Sequence, residues 1–171
     1  MTLREALGIA GDDVVALVGG GGKTTTMFRL AREITEAGGR ALTTTTTRIF
    51  AAQIALAPAH VGAEDSTREN VTAALAAHRH VLVIGDPDGT GRAVGVSLDL
   101  FGRLRARCPD VCLLNEADGS RIRPFKAPAG HEPVIPTEAT LGRAARRRRR
   151  LRQAPGRRAR SPARSGQRAQ R

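Results

Sequence analysis

Apolar residues gather in short uninterrupted blocks separated by amphipathic stretches, the pattern of buried parallel strands alternating with helices. Val14–Val18, the HVLVIG segment (residues 80–85) and the DVCLLN segment (residues 110–115) are such blocks. They predict strands at 13–18, 80–85 and 110–115, with a fourth at 40–44 that runs into five consecutive threonines, residues 43–47. Between them, Met27, Leu30, Ala31 and Ile34 recur at helical spacing and predict a helix over 24–37, stopped by Gly38 and Gly39. Thr2 with Glu5 forms a capping box for a short helix over 3–7. Ser66 with Glu69 forms another for a helix reaching about His78, and Ser97 caps a third over 98–107. Residues 51–65 are expected to be irregular or weakly helical, broken at Pro58. DPDGTGRAVGV (residues 86–96) is expected to be a glycine-rich turn, and 121–136, with four prolines, a loop.

This alternation predicts an α/β fold, a parallel doubly wound sheet of the P-loop NTPase type, with ligands at the carboxyl ends of the strands. Four segments follow strands and are expected to converge on that rim: the glycines after Val18, the threonine run, the EADGS segment (residues 116–120) and the proline-rich loop.

The chemistry concentrates first in VVALVGGGGKTTT, residues 14–26. Gly19, Gly20, Gly21 and Gly22 permit a turn whose amides approach an anion, and Lys23 adds a compact charge for β- and γ-phosphates. Thr24 is the expected Mg²⁺ ligand, with Thr25 beside it at the helix start. The spacing G-x-x-G-K-T-T is shorter than the usual Walker loop, because Leu17 stands where that loop has its first glycine. Arginine fills 26 positions and lysine only two, Lys23 and Lys126. A guanidinium cannot replace an ammonium in a tight phosphate loop, so both lysines are candidates for chemistry.

A phosphate loop needs an acidic partner at the end of a neighbouring strand. Asp118 is the metal candidate and Glu116 the candidate for orienting an attacking group. Thr46, Thr47 and Arg48 stand at the end of the threonine run, where Thr47 and Arg48 could face a γ-phosphate; a plain β-strand is the competing explanation for the threonines. In the proline-rich loop, Arg123 and Lys126 could hold an anionic substrate, and His131 and Glu132 could transfer protons. His60, His78 and His80 lack ligand spacing and are expected at the surface or in packing. Cys112 is expected in the core, with Cys108 a free thiol.

Charge changes the picture only once it is mapped. The net +12 suggests nucleic acid, yet residues 141–171 hold 13 arginines and no acid, leaving residues 1–140 at −1 with 15 basic and 16 acidic residues. One domain is therefore expected over 1–140 and a disordered basic tail over 141–171. A nucleic-acid arm, a solvated extension and an out-of-frame reading of a GC-rich gene compete to explain the tail, and the out-of-frame reading is favoured, because a selected basic arm usually mixes in lysine and order-promoting residues. Only four phenylalanines serve as aromatics, so single-strand stacking is not expected and nucleic acid would meet only the tail, nonspecifically. No apolar run has membrane-span length, and neither a signal peptide nor a disulfide framework is visible. The chain is expected to be cytoplasmic and to make no membrane contact.

Taken together, ALVGGGGKTTTMFRLA, TTTTTRIF and LLNEADGSRIRPFKAPAGHEPVIP resemble the YqeC family, whose members are described as accessory or selenium cofactor biosynthesis proteins for selenium-dependent molybdenum hydroxylases. The resemblance covers about residues 1–140. It implies a P-loop nucleotide-binding fold and a role in maturing a molybdenum hydroxylase, the expected partner, and so names a pathway rather than a reaction. The phosphate-loop residues themselves point to ATP or GTP with Mg²⁺ as ligands and to a P-loop NTPase or an NTP-dependent transferase or ligase. A nucleotide-dependent switch or chaperone that docks on the hydroxylase, or a nonfunctional truncated product, are the alternatives. Two residues depart from the family pattern: Arg48 stands in place of a lysine, and Asn115 at a usually apolar position. The family continues beyond VIP with further strands and helices, so the sheet is expected to be incomplete.

Overall fold

The computed structural model describes residues 1–118 and 135–144. Its order is α1 (Leu3–Leu7), β1 (Val14–Val18), α2 (Lys23–Glu36), β2 (Ala41–Thr45), β3 (Arg48–Phe50), a 3-10 turn (Ala51–Leu56), β4 (His60–Gly62), α3 (Arg68–His78), β5 (His80–Ile84), β6 (Arg92–Val94), α4 (Leu98–Arg107), β7 (Cys112–Glu116) and β8 (Leu141–Ala144). Six strands form one sheet in the order β4-β5-β2-β7-β1-β8, and every pairing described in it is parallel. The fold is α/β, as expected.

Alternating residues of each strand serve the two faces. Val15, Leu17, Ala41, Cys112 and Leu114 pack with Met27, Leu30, Ala31 and Ile34 of α2 and with Leu3 and Leu7 of α1. Val14, Leu42, Val81, Val83 and Leu113 pack on the opposite side with Val71 and Leu75 of α3 and with Phe101 and Leu104 of α4. This arrangement follows from right-handed crossovers. The chain passes from β1 to β2 in one direction across the sheet and returns from β5 to β7 in the other, so α2 and α4 must lie on opposite faces.

The strong periodic elements stand where the sequence predicts them, within a residue or two. Thr2 and Glu5 close a reciprocal capping box at α1, and the Ser97 hydroxyl accepts from Leu100 N–H at α4. The α3 cap is shifted by one residue from expectation. Thr67 caps it by accepting from Asn70 N–H at 3.2 Å, while Ser66 donates to the Ala63 carbonyl in the preceding turn.

Four short strands, β3, β4, β6 and β8, depart from expectation. β4 lies in the supposedly irregular 51–65 and extends the sheet beside β5. β6 lies inside the supposed turn 86–96 and pairs antiparallel with β3, forming a ribbon beyond the end of β2. β8 occupies the first four positions of the expected tail, so regular structure continues past 140. Among the described residues no helix is long and apolar enough to cross a membrane.

Candidate functional site

At the C-terminal edge of the sheet, β1 and β7 lie side by side, yet β1 hands the chain toward β2 and β7 hands it toward β8. Neighbouring strands whose continuations diverge leave a crevice between their ends, the usual ligand position in open α/β sheets. The glycine turn and Glu116–Asp118 meet there.

Gly19, Gly21 and Gly22 have φ values of 114°, 76° and 79°, a region that side chains disfavour. The turn delivers α2 with Gly22 as its N-cap and no side chain capping the helix. Gly22 offers no side chain to the first amides of α2, which stand at the positive end of the helix dipole. Gly20 is half-buried within the turn and Thr25 is exposed on the first turn of the helix.

Lys23 is among the largest fully buried side chains of the described residues. Its ammonium donates to the Gly19 carbonyl at 2.7 Å and lies 3.8 Å from Glu116 Oε1. The Thr24 hydroxyl donates to Glu116 Oε2 at 2.6 Å. Burial pushes the Glu116 carboxyl above the usual carboxylate range; the Thr24 bond and the Lys23 charge act in the opposite sense, and the nearby Asp118 charge adds to the upward push. Asp118, the expected metal ligand, accepts from Gly19 N–H through Oδ2 at 2.9 Å. The carboxylate beside Thr24 is therefore Glu116.

A hydroxyl and a carboxylate 2.6 Å apart are hard oxygen donors on one spot. That donor set fits Mg²⁺, which takes one or two protein ligands and completes its octahedron with water and phosphate. Among the described residues no group of three His, Cys, Asp or Glu side chains is placed to hold a metal alone.

The threonine run divides. Thr43, Thr44 and Thr45 are fully buried, and their hydroxyls are spent inside the sheet on His80, the Val83 carbonyl and the Glu116 carbonyl. Strand structure accounts for those three. Thr46 N–H donates to the Glu116 carbonyl at 3.2 Å, and its hydroxyl lies 3.3 Å from the Asn115 amide nitrogen. Thr47 turns back on Thr45, hydroxyl to hydroxyl at 3.0 Å, and its carbonyl accepts from Gly95 N–H. Arg48 pairs with Asp88 at 3.5 Å on the ribbon. Thr47 and Arg48 are engaged by the ribbon, and no bond joins either to the glycine turn.

His80 is buried and packs against Phe28, ring centroids 5.9 Å apart; His60 and His78 are exposed. Cys112 lies in the core as expected, its thiol pushed up to about 12 chiefly by burial, and Cys108 is also free and buried. The roles expected for Arg123, Lys126, His131 and Glu132, and the segment from 145 onward, lie outside the described residues.

Fold and site together define an α/β protein with a lysine- and threonine-bearing glycine turn at the switch point of a parallel sheet. Residues 15–142 match the family model described as YqeC protein. The chain belongs to the YqeC family. It is 33% identical over 129 residues to a protein of Escherichia coli (strain K12) called Uncharacterized protein YqeC, the alignment covering 72% of this chain and 47% of that protein. The chain thus spans about half the length of that curated relative. No solved structure matches it.

Proposed function

We propose that this chain binds a nucleoside triphosphate, ATP or GTP, with Mg²⁺, through the glycine turn and the N-terminus of α2. One observation carries the reading: an uncapped helix start is joined to a threonine hydroxyl that bonds a buried carboxylate at 2.6 Å. In this reading the amides of Gly20–Thr25 take the phosphate oxygens. Lys23 leaves the Gly19 carbonyl to neutralise the β- and γ-phosphates. Thr24 and Glu116 hold Mg²⁺, which screens phosphate charge and orients the terminal phosphate. The biological setting is maturation of a selenium-dependent molybdenum hydroxylase, a role supported loosely by family membership.

Isothermal titration with ATP and GTP, with Mg²⁺ and with EDTA, tests this directly. Lys23→Ala is expected to abolish binding, and retained affinity in that variant would count against the site.

A second reading, a nucleotide-dependent switch docking on the hydroxylase, has its own supporting observation. The Glu116 carbonyl is held by both Thr45 and Thr46, and Gly95 and Val96 N–H groups join Thr47 and Thr45 to the ribbon that exposes Phe50 and Val94. Triphosphate hydrolysis that requires the apo-hydroxylase and modifies no small molecule would select this reading over small-molecule chemistry.

A further inference from the structure

The two carboxylates at the end of β7 make different bonds, and the backbone explains why. In a parallel ladder, every second residue of one strand bonds the residues before and after its partner on the other. Between β1 and β7 the rungs include Leu113 N–H to the Asp13 carbonyl and Ala117 N–H to the Leu17 carbonyl. The next rung would run from Gly19 N–H to the Ala117 carbonyl. The Gly19 N–H instead donates to Asp118 Oδ2 at 2.9 Å. The side chain has replaced the main-chain acceptor, which ends the ladder and lets β1 leave the sheet. At that residue φ becomes 114° and the turn begins. The next peptide, on the other side of the same residue, is held by Lys23 Nζ, which donates to the Gly19 carbonyl.

We propose that Asp118 is a positioning residue that fixes the first peptide of the phosphate-binding turn, leaving the metal to Glu116. This rests on the nucleotide reading for its ligand-binding consequences and stands alone for its effect on the Gly19 amide. An acceptor, rather than a charge, is what the Gly19 N–H requires. Asparagine at 118 therefore preserves the arrangement and alanine does not. A metal ligand behaves in the opposite way, because a neutral amide is a far poorer Mg²⁺ donor than a carboxylate.

The test uses the full 171-residue chain and the variants Asp118→Ala, Asp118→Asn and Glu116→Gln, each checked for a cooperative melt. In the ligand-free protein, the Gly19 amide proton is expected to be downfield and slow to exchange in the wild type and in Asp118→Asn. It should be fast-exchanging in Asp118→Ala. With ATP as probe, Asp118→Ala should weaken binding about tenfold, by the same factor in Mg²⁺ and in EDTA. Asp118→Asn should stay within about threefold of the wild type, and Glu116→Gln should lose the increment that Mg²⁺ supplies. Loss of that increment in both Asp118 variants, with affinity in EDTA intact, would overturn the assignment and make Asp118 the metal ligand. A Gly19 amide unchanged by Asp118→Ala would overturn it as well. Should the wild type bind neither ATP nor GTP, the nucleotide reading fails, and the Gly19 amide alone decides the role of Asp118.

Discussion

Burial sets the behaviour of individual polar side chains here, and His80 is the clearest case. It sits in β5 facing α2, with Nε2 3.0 Å from the Thr43 hydroxyl and the ring against Phe28. No charged partner compensates an imidazolium there, so desolvation lowers its pKa to about 4. The unfolded chain protonates this residue near pH 6.5, before the folded one does. The stability tied to the neutral ring is thus complete above about pH 6.5 and is lost as pH falls toward 4, to a limit of about 3 kcal/mol. Urea denaturation across pH 8 to 4 should show the wild type losing its advantage over His80→Gln in that window. A stability difference constant across the range would refute it.

At the scale of elements, two joints hold the pieces that are too short to stand alone. Glu33 of α2 ties down α1, a helix of five residues. Its Oε2 accepts from Arg4 N–H at 2.7 Å and its Oε1 from the Arg29 guanidinium at 2.9 Å. Burial alone would raise this carboxyl, but those bonds outweigh it and hold it below the usual range. Glu33→Ala should cost about 1–3 kcal/mol and expose α1 to hydrogen exchange ahead of the sheet.

The ribbon has a different joint. A Cβ at Gly95 would come within 2.3 Å of the Thr47 carbonyl and 2.5 Å of the Thr45 carbonyl, backbone atoms that cannot move aside cheaply. Gly95→Ala should therefore destabilise the protein by about 2–3 kcal/mol. Gly11→Ala, where a Cβ meets nothing within 4 Å, should be nearly neutral. Equal midpoints for the two variants in chemical denaturation would show that the ribbon is not clamped at Gly95.

For the whole molecule, β8 matters more than its four residues suggest. It gives β1, the strand that carries the glycine turn, its second neighbour, in register Val15 with Leu141 through Val18 with Ala144. Thr140 reinforces the junction, bonding Val14 through both its backbone N–H and its hydroxyl. A chain ending at residue 140 leaves one side of β1 unpaired. It should melt at least about 5 °C below a chain ending at 144, as followed by circular dichroism. Identical melting curves would mean that β8 adds nothing to the sheet.

The strands and helices that could be read from residues alone are those with enough periodic burial of their own. The Val14–Val18 block, the Met27–Ile34 stripe and the Thr2 and Ser97 caps specify their conformation over a few neighbouring residues. The lysine-threonine glycine turn was legible for the same reason, since local backbone demands dictate its composition. β3, β4, β6 and β8 carry three or four residues each and become strands only through partners distant in sequence. Which bond each of Glu116 and Asp118 makes was likewise hidden. Both were expected at the rim, but which one meets Thr24 depends on where the β1–β7 ladder stops. Sequence determined that this chain would fold as alternating strands and helices with a glycine-rich, lysine-bearing turn after the first strand. Only the tertiary structure, by fixing register between strands about a hundred residues apart, decided which carboxylate faces the threonine and which holds the turn.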